Sequence, residues 1–120
     1  MELLEQRGVR LIVHLPAELD HHCTEELRKE IDRTLEKEPV SELEFDFSET
    51  AFMDSAGVGL ILGRCKIMQA LDGSMTVSHM STQIRTILVL SGIHQHIPLK
   101  KQEALSKMRS TVSLIVCSNG

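Results

Sequence analysis

The chain has 120 residues, 42% of them hydrophobic, and a formal charge of -4 at pH 7. That length and apolar fraction are enough for one compact domain with a core of its own, without disulfides or a structural metal. With three phenylalanines, no tryptophan, no tyrosine and no basic stripe, the composition excludes direct nucleic-acid binding through a phosphate-tracking groove or a stacking platform.

No apolar run approaches the roughly 20 residues of a membrane span, and the opening MELLEQRGVR lacks the basic-then-apolar pattern of a secretory signal. The expectation is a cytoplasmic protein with no membrane association. Cys23, Cys65 and Cys117 are odd in number and widely spaced, which argues against a disulfide framework or a metal knuckle. Nothing resembling a repeat or linker divides the chain, so residues 1–120 are expected to form one domain.

In chain order, Val9 to Leu15 reads as a buried strand stopped by Pro16, with ELDHH as a loop. Cys23, Leu27, Ile31 and Leu35 then recur every fourth residue, predicting an amphipathic helix that Pro39 ends. Leu43, Phe45 and Phe47 alternate with Glu44 and Asp46, the period of a strand with one polar face, and SETAFMDS connects onward. After Ser55, the residues Val58, Ile61, Leu62, Cys65, Met68 and Leu71 follow helical spacing, with Gly73 placed as a left-handed stop. Ser74 to Met80 reads as a strand, Ile84 to Leu90 as a helix stopped by Gly92, Ile97 to Leu99 as a short strand and Gln102 to Val112 as a last helix. The closing SLIVCSNG fits a helix continuation, a strand or a frayed tail equally. Such alternation predicts an α/β fold, a mixed sheet of about four to five strands against about four helices.

Three residue groups invite functional readings. Ser55, in the D-S-A-G turn at the door of a helix, suits an N-cap, a nucleophile or an acceptor for another protein's chemistry. The nucleophile reading lacks the G-x-S-x-G elbow and leaves no triad order to read, whereas serine and aspartate are both favoured caps. A cap alone leaves Gly57 unexplained. In ELDHHC, His21, His22 and Cys23 are potential ligands, but adjacent residues on a tight loop seldom chelate one ion, and His94 with His96 lacks a third ligand. Solvated histidines are the simpler reading.

Two of these stretches together resemble a known family, the anti-sigma factor antagonists built on the STAS domain. AELDHHCTEELRKEID, Ala17 to Asp32, is similar to the family's G-E-L-D loop and first helix; FMDSAGVGLILGRCK, Phe52 to Lys66, is similar to its D-S-[ST/A]-G-[LV]-G segment and following helix. LSGIHQHIPL, Leu90 to Leu99, adds a weaker match. The resemblance implies a single STAS domain that works as a partner switch. The unmodified protein binds an anti-sigma factor that is also a serine kinase and so frees a sigma factor; phosphorylation weakens that binding, and a serine phosphatase reactivates it. It implies no enzyme activity and no cofactor in this chain, since the kinase brings ATP and magnesium, and a monomer when free.

The family's phosphorylated serine maps to Ser55, and Asp20, His21, Asp54, Ala56 and Gly57 map to its partner-binding loops. Asp20 is expected either to dock a kinase arginine or to form a turn, Asp54 to shape the acceptor loop or cap the helix, and Gly57 to let a partner's backbone come close. Ala17 stands where the family usually has glycine, and Ala56 where it often has a second hydroxyl, which leaves Ser55 without a neighbouring competitor. Alternatives are a STAS module of a general stress switch and, from another class, a serine-dependent hydrolase.

Overall fold

In the computed structural model, residues 3–92 and 112–115 are described. A first strand that the sequence did not announce, β1 (Leu4–Arg7), turns at Gly8 and returns as β2 (Arg10–His14). Gly8 has φ +61, and such a tight hairpin turn favours glycine in that left-handed conformation. β3 (Glu18–Leu19) leads into α1 (His21–Lys37), then come β4 (Glu42–Asp46), β5 (Phe52–Met53), α2 (Ser55–Ala70), β6 (Ser74–Ser78), α3 (Thr82–Leu90) and β7 (Val112–Ile115). The main sheet has the order β1-β2-β4-β6-β7, with β2, β4 and β6 parallel and the two edge strands antiparallel. The expected mixed α/β architecture holds. Three helices are described; the expected strand at 97–99 and most of the expected helix at 102–112 lie outside the described residues, and Val112 opens a strand, which decides that part of SLIVCSNG.

Alternation along the parallel strands sorts their side chains onto two faces. Leu11, Val13, Leu43, Phe45, Met75 and Val77 are all buried on one face and join Leu27, Ile31, Ile61, Ile84 and Leu88 of the helices in one core. All three described helices therefore cover the same side of the sheet. The other face carries the in-register rows Arg10–Glu42–Ser74 and His14–Asp46–Ser78. Its polar groups are cross-linked: Arg10 pairs with Glu42 and Glu44 at 3.1 and 2.8 Å, and the Ser78 hydroxyl donates to Glu44 at 2.7 Å. His14 sits between Glu5 at 2.8 Å and Asp46 at 3.1 Å, while His79 reaches the second Asp46 oxygen at 3.1 Å. The Glu5 hydrogen bond, aided by Asp46, raises the His14 pKa above its ordinary value. Burial alone would raise that of Asp46, but hydrogen bonds from Ser48 and His14 and the charge of His79 outweigh it and hold the carboxyl below the usual range.

One helix end corrects the sequence reading. The left-handed residue after α2 is Asp72 at φ +60, not Gly73. Gly73 is required for a different reason: a Cβ there would lie 2.8 Å from the Ser41 carbonyl oxygen and 2.5 Å from Met68 Cε. The Gly92 stop holds, at φ +83, but Leu90 of the same helix is exposed and outside the core. Cys23 is a free, half-buried thiol, and Cys65 is buried in the core.

Candidate functional site

The E-L-D and F-M-D segments share one local plan: a two-residue strand, an aspartate, then a helix. β3 and β5 pair in parallel, Glu18 opposite Phe52 and Leu19 opposite Met53. Leu19 and Met53 are buried while Glu18 and Phe52 face outward. The Ala51 and Phe52 N–H groups both donate to the Ala17 carbonyl at 2.9 and 3.1 Å, and the Thr50 hydroxyl donates to the Pro16 carbonyl at 2.9 Å. These bonds join two loops that are more than 30 residues apart in sequence, and they set the starts of α1 and α2 side by side.

Each aspartate caps its helix. Asp20 is extended and its Oδ1 accepts from the Cys23 N–H at 3.0 Å; Asp54 is extended and its Oδ1 accepts from the Ala56 N–H at 2.9 Å. The cap of α2 is thus Asp54, not Ser55, because the aspartate comes first and its shorter reach to the amide is satisfied. Ser55 becomes the first helical residue. It is exposed, and its hydroxyl bonds to no described residue, so the side chain is available at the surface. His21 and His22 belong to the exposed first turn of α1 rather than to a loop. Among the described residues no group of three or more His, Cys, Asp or Glu side chains is placed to hold a metal ion.

Gly57 is buried, which corrects its expected role at a partner's surface. It faces inward from the first turn of α2, where an added Cβ would overlap Met53 Cγ and come within 2.9 Å of Met53 Sδ and 3.0 Å of Leu19 Cδ2. The missing side chain is the space that the β3–β5 pair fills. Ala56, by contrast, is half-buried and lines an open groove of about 240 Å³ between the N-terminal halves of α1 and α2, together with His21, Arg28 and Arg64. Arg64 is 7% exposed; its Nε lies 3.1 Å from Asp32 Oδ1, and among the described residues its buried Nη1 has no hydrogen-bond acceptor. Burial depresses the Arg64 pKa against the pull of Asp32.

The structure therefore brings Asp20, His21, Asp54, Ser55 and Ala56 to one end of the molecule and turns Gly57 inward. The sequence reading missed two features there. The burial of Arg64 has no signal in the sequence, since it follows only from α2 being covered by both the sheet and α1. Phe52 lies in β5 rather than in a connecting loop and is 51% exposed at the Ser55 end; the parallel between F-M-D and E-L-D is the available signal.

Residues 1–112 match the model of the STAS domain. The chain is 33% identical over 103 residues to the anti-sigma F factor antagonist of Paenibacillus polymyxa, covering 86% of this chain and 87% of that one. Among solved structures it is similar to the anti-sigma factor antagonist SpoIIAA in its unphosphorylated form, with 32% identity, a TM-score of 0.65 and coverage of 72% of this chain and 80% of that one. The phosphorylated form of the Bacillus cell fate determinant SpoIIAA matches with 32% identity and a TM-score of 0.66, covering 77% and 84%. These relatives are regulatory proteins, which removes the hydrolase reading. With the motif residues at the starts of α1 and α2 and the family model spanning nearly the whole chain, the protein belongs to the STAS-domain anti-sigma factor antagonists.

Proposed function

We propose that the protein is the phosphorylation-controlled member of a partner switch: its unmodified form binds an anti-sigma factor that is a serine kinase, and a phosphate on Ser55 weakens that complex. The observation that carries this reading is the placement of Ser55, exposed, unengaged by any described residue and held on the first turn of a capped helix. A rigid hydroxyl at the surface is what a kinase needs in order to align the attacking oxygen with the transferred phosphoryl group. The kinase supplies ATP and magnesium, a serine phosphatase restores the hydroxyl, and the chain acts in the cytoplasm as a monomer. Among the described residues no helix is long and apolar enough to cross a membrane.

A phosphate at Ser55 carries about -1.5 to -2 charges. The positive ends of two adjacent helices favour it, while the cap carboxylates of Asp20 and Asp54 oppose it, so neither effect is expected to unfold the domain. SpoIIAA supports this: this chain resembles its unphosphorylated and phosphorylated forms equally well. The switch then acts on the surface, where a dianion replaces a small neutral hydroxyl against the partner. A hundredfold loss of affinity, about 2.7 kcal/mol, is enough to reverse partner choice.

The test is incubation with the anti-sigma F factor of Paenibacillus polymyxa and Mg-ATP, followed by peptide mapping. Phosphate on Ser55 is expected, with Ser48 and Thr50 unmodified. Ser55→Ala should bind as tightly as the parent without being modified, and Ser55→Asp should bind more weakly. Phosphate principally on Ser48 or Thr50 refutes the assignment.

A further inference from the structure

Two of the three phenylalanines, Phe45 and Phe47, are buried to 1% exposure or less; the third, Phe52, leaves half its surface in water. The other large exposed apolar residues lie elsewhere among the described elements: Val9 directly precedes β2, Leu71 closes α2, and Val89 and Leu90 close α3. Phe52 is therefore the large apolar group exposed at the Ser55 end among the described residues. Its backbone role in β5 does not need a ring. β5 is held through the Ala51 and Phe52 N–H groups on Ala17, and the buried contact of the pair is made by Leu19 and Met53. A threonine would serve the strand as well.

The surroundings of the ring are acidic. Glu18 is its register partner across β3–β5 and is exposed; Glu49 is exposed three residues before it; and the half-buried cap carboxylates of Asp20 and Asp54 follow the two strands. An exposed aromatic within a charged rim matches the anatomy of an interface centre, where an apolar group is desolvated in a pocket and the charges around it steer the approach. Ser55 lies three residues further on, across one cap.

We infer that Phe52 is the apolar anchor that holds the anti-sigma factor kinase while Ser55 enters its active site, and that the receiving cleft is apolar with an arginine- or lysine-bearing rim. This rests on the reading of Ser55 given above. The anchor and the acceptor are separate functions: the ring sets residence time, the acidic rim sets the association rate, and the hydroxyl receives the phosphate.

The experiment measures binding and phosphorylation kinetics of the full chain with the anti-sigma F factor of Paenibacillus polymyxa at two salt concentrations. Phe52→Thr should weaken binding by about thirtyfold, mainly through faster dissociation, and raise KM for Ser55 phosphorylation while kcat stays within about twofold. Phe52→Tyr should bind within about threefold of the parent. Glu18→Gln should slow association and reduce its salt dependence with dissociation unchanged. Thermal melting checks that the variants fold; if Phe52→Thr does not, Phe52→Val, which keeps a strand-forming apolar residue, must still bind at least about fivefold more weakly than the parent. A folded Phe52→Thr protein that binds and is phosphorylated like the parent overturns the anchor and leaves the Ser55 reading standing. A parent that neither binds nor is phosphorylated removes both.

Discussion

Gly57 gives the sharpest test of how the site is built, because two explanations of the same residue make opposite demands. If Gly57 exists to admit a partner's backbone, Gly57→Ala should fold better than the parent, since glycine within a helix is about 0.8–1 kcal/mol less favourable than alanine. The structure predicts otherwise. The new methyl would overlap Met53 Cγ and crowd Met53 Sδ at 2.9 Å and Leu19 Cδ2 at 3.0 Å, and both neighbours are buried in the core. Forcing a methyl group into such packing costs about 1–3 kcal/mol. Gly63, on the same helix, has nothing within 4 Å of its Cβ position, so Gly63→Ala carries the propensity gain alone. Subtracting the two cancels propensity and leaves packing: Gly57→Ala should be less stable than Gly63→Ala by about 1–3 kcal/mol. Urea unfolding at 25 °C with both variants fitted to a common m-value reads this directly, since a 2 kcal/mol difference separates the midpoints by about 1 M for an m-value near 2 kcal/mol/M. If the two alanine variants agree within about 0.5 kcal/mol, Met53 moves aside freely and the packing account of Gly57 is wrong.

Three further outcomes follow from the caps and ion pairs. Asp20→Ala should lose about 1 kcal/mol of stability in urea unfolding with its N-cap, whereas Asp20→Asn keeps the cap and removes only the charge; kinase affinity measured on the asparagine variant is then free of folding effects, and unchanged affinity would show that Asp20 is a cap and nothing more. Removing the carboxylate beside the buried Arg64 by Asp32→Ala should cost about 1–3 kcal/mol, while Arg64→Met, which removes the charge itself, should be close to neutral by the same assay. The raised His14 pKa contributes stability that is complete below the unfolded histidine value of about 6.5 and is lost as pH rises through the folded value; the lowered Asp46 pKa contributes above about 3.9 and is lost as pH falls through its folded value. His14→Gln should therefore flatten the decline in melting temperature above neutral pH, and an unchanged slope would mean the Glu5–His14–Asp46 cluster does not couple to folding.

What could be read from the sequence was what periodicity writes. Leu27 and Ile31 on α1, the alternation of Leu43, Phe45 and Phe47, and the stripe of Ile61, Cys65 and Met68 each matched their burial. What could not be read depends on contacts between distant segments. β1 is a partly exposed edge strand whose charged Glu5 and Arg7 hide any alternation. β3 and β5 are two residues long, too short for a period, and exist because their backbones find each other. Residue chemistry alone left Asp54 and Ser55 as competing caps; only the extended backbone at Asp54 separates them. Gly57 and Gly73 were both recognised as special, but for torsional or surface reasons, when each is small because another part of the fold occupies the space its side chain would need.

The pairing of β3 with β5 has a geometric consequence for how this surface can change. Neighbouring strands lie about 4.8 Å apart, and successive residues along them point to opposite sides. Inserting or deleting one residue in either loop would exchange inside for outside: Phe52 would turn into the core, Met53 into water, and the serine would leave its place on the first turn. The stretches 15–20 and 47–55 are thus one mechanical part made from two pieces of chain, tolerant of side-chain substitution on its outer face and intolerant of any change in length. A transplant of this surface onto another scaffold would have to carry both stretches together, with their register intact.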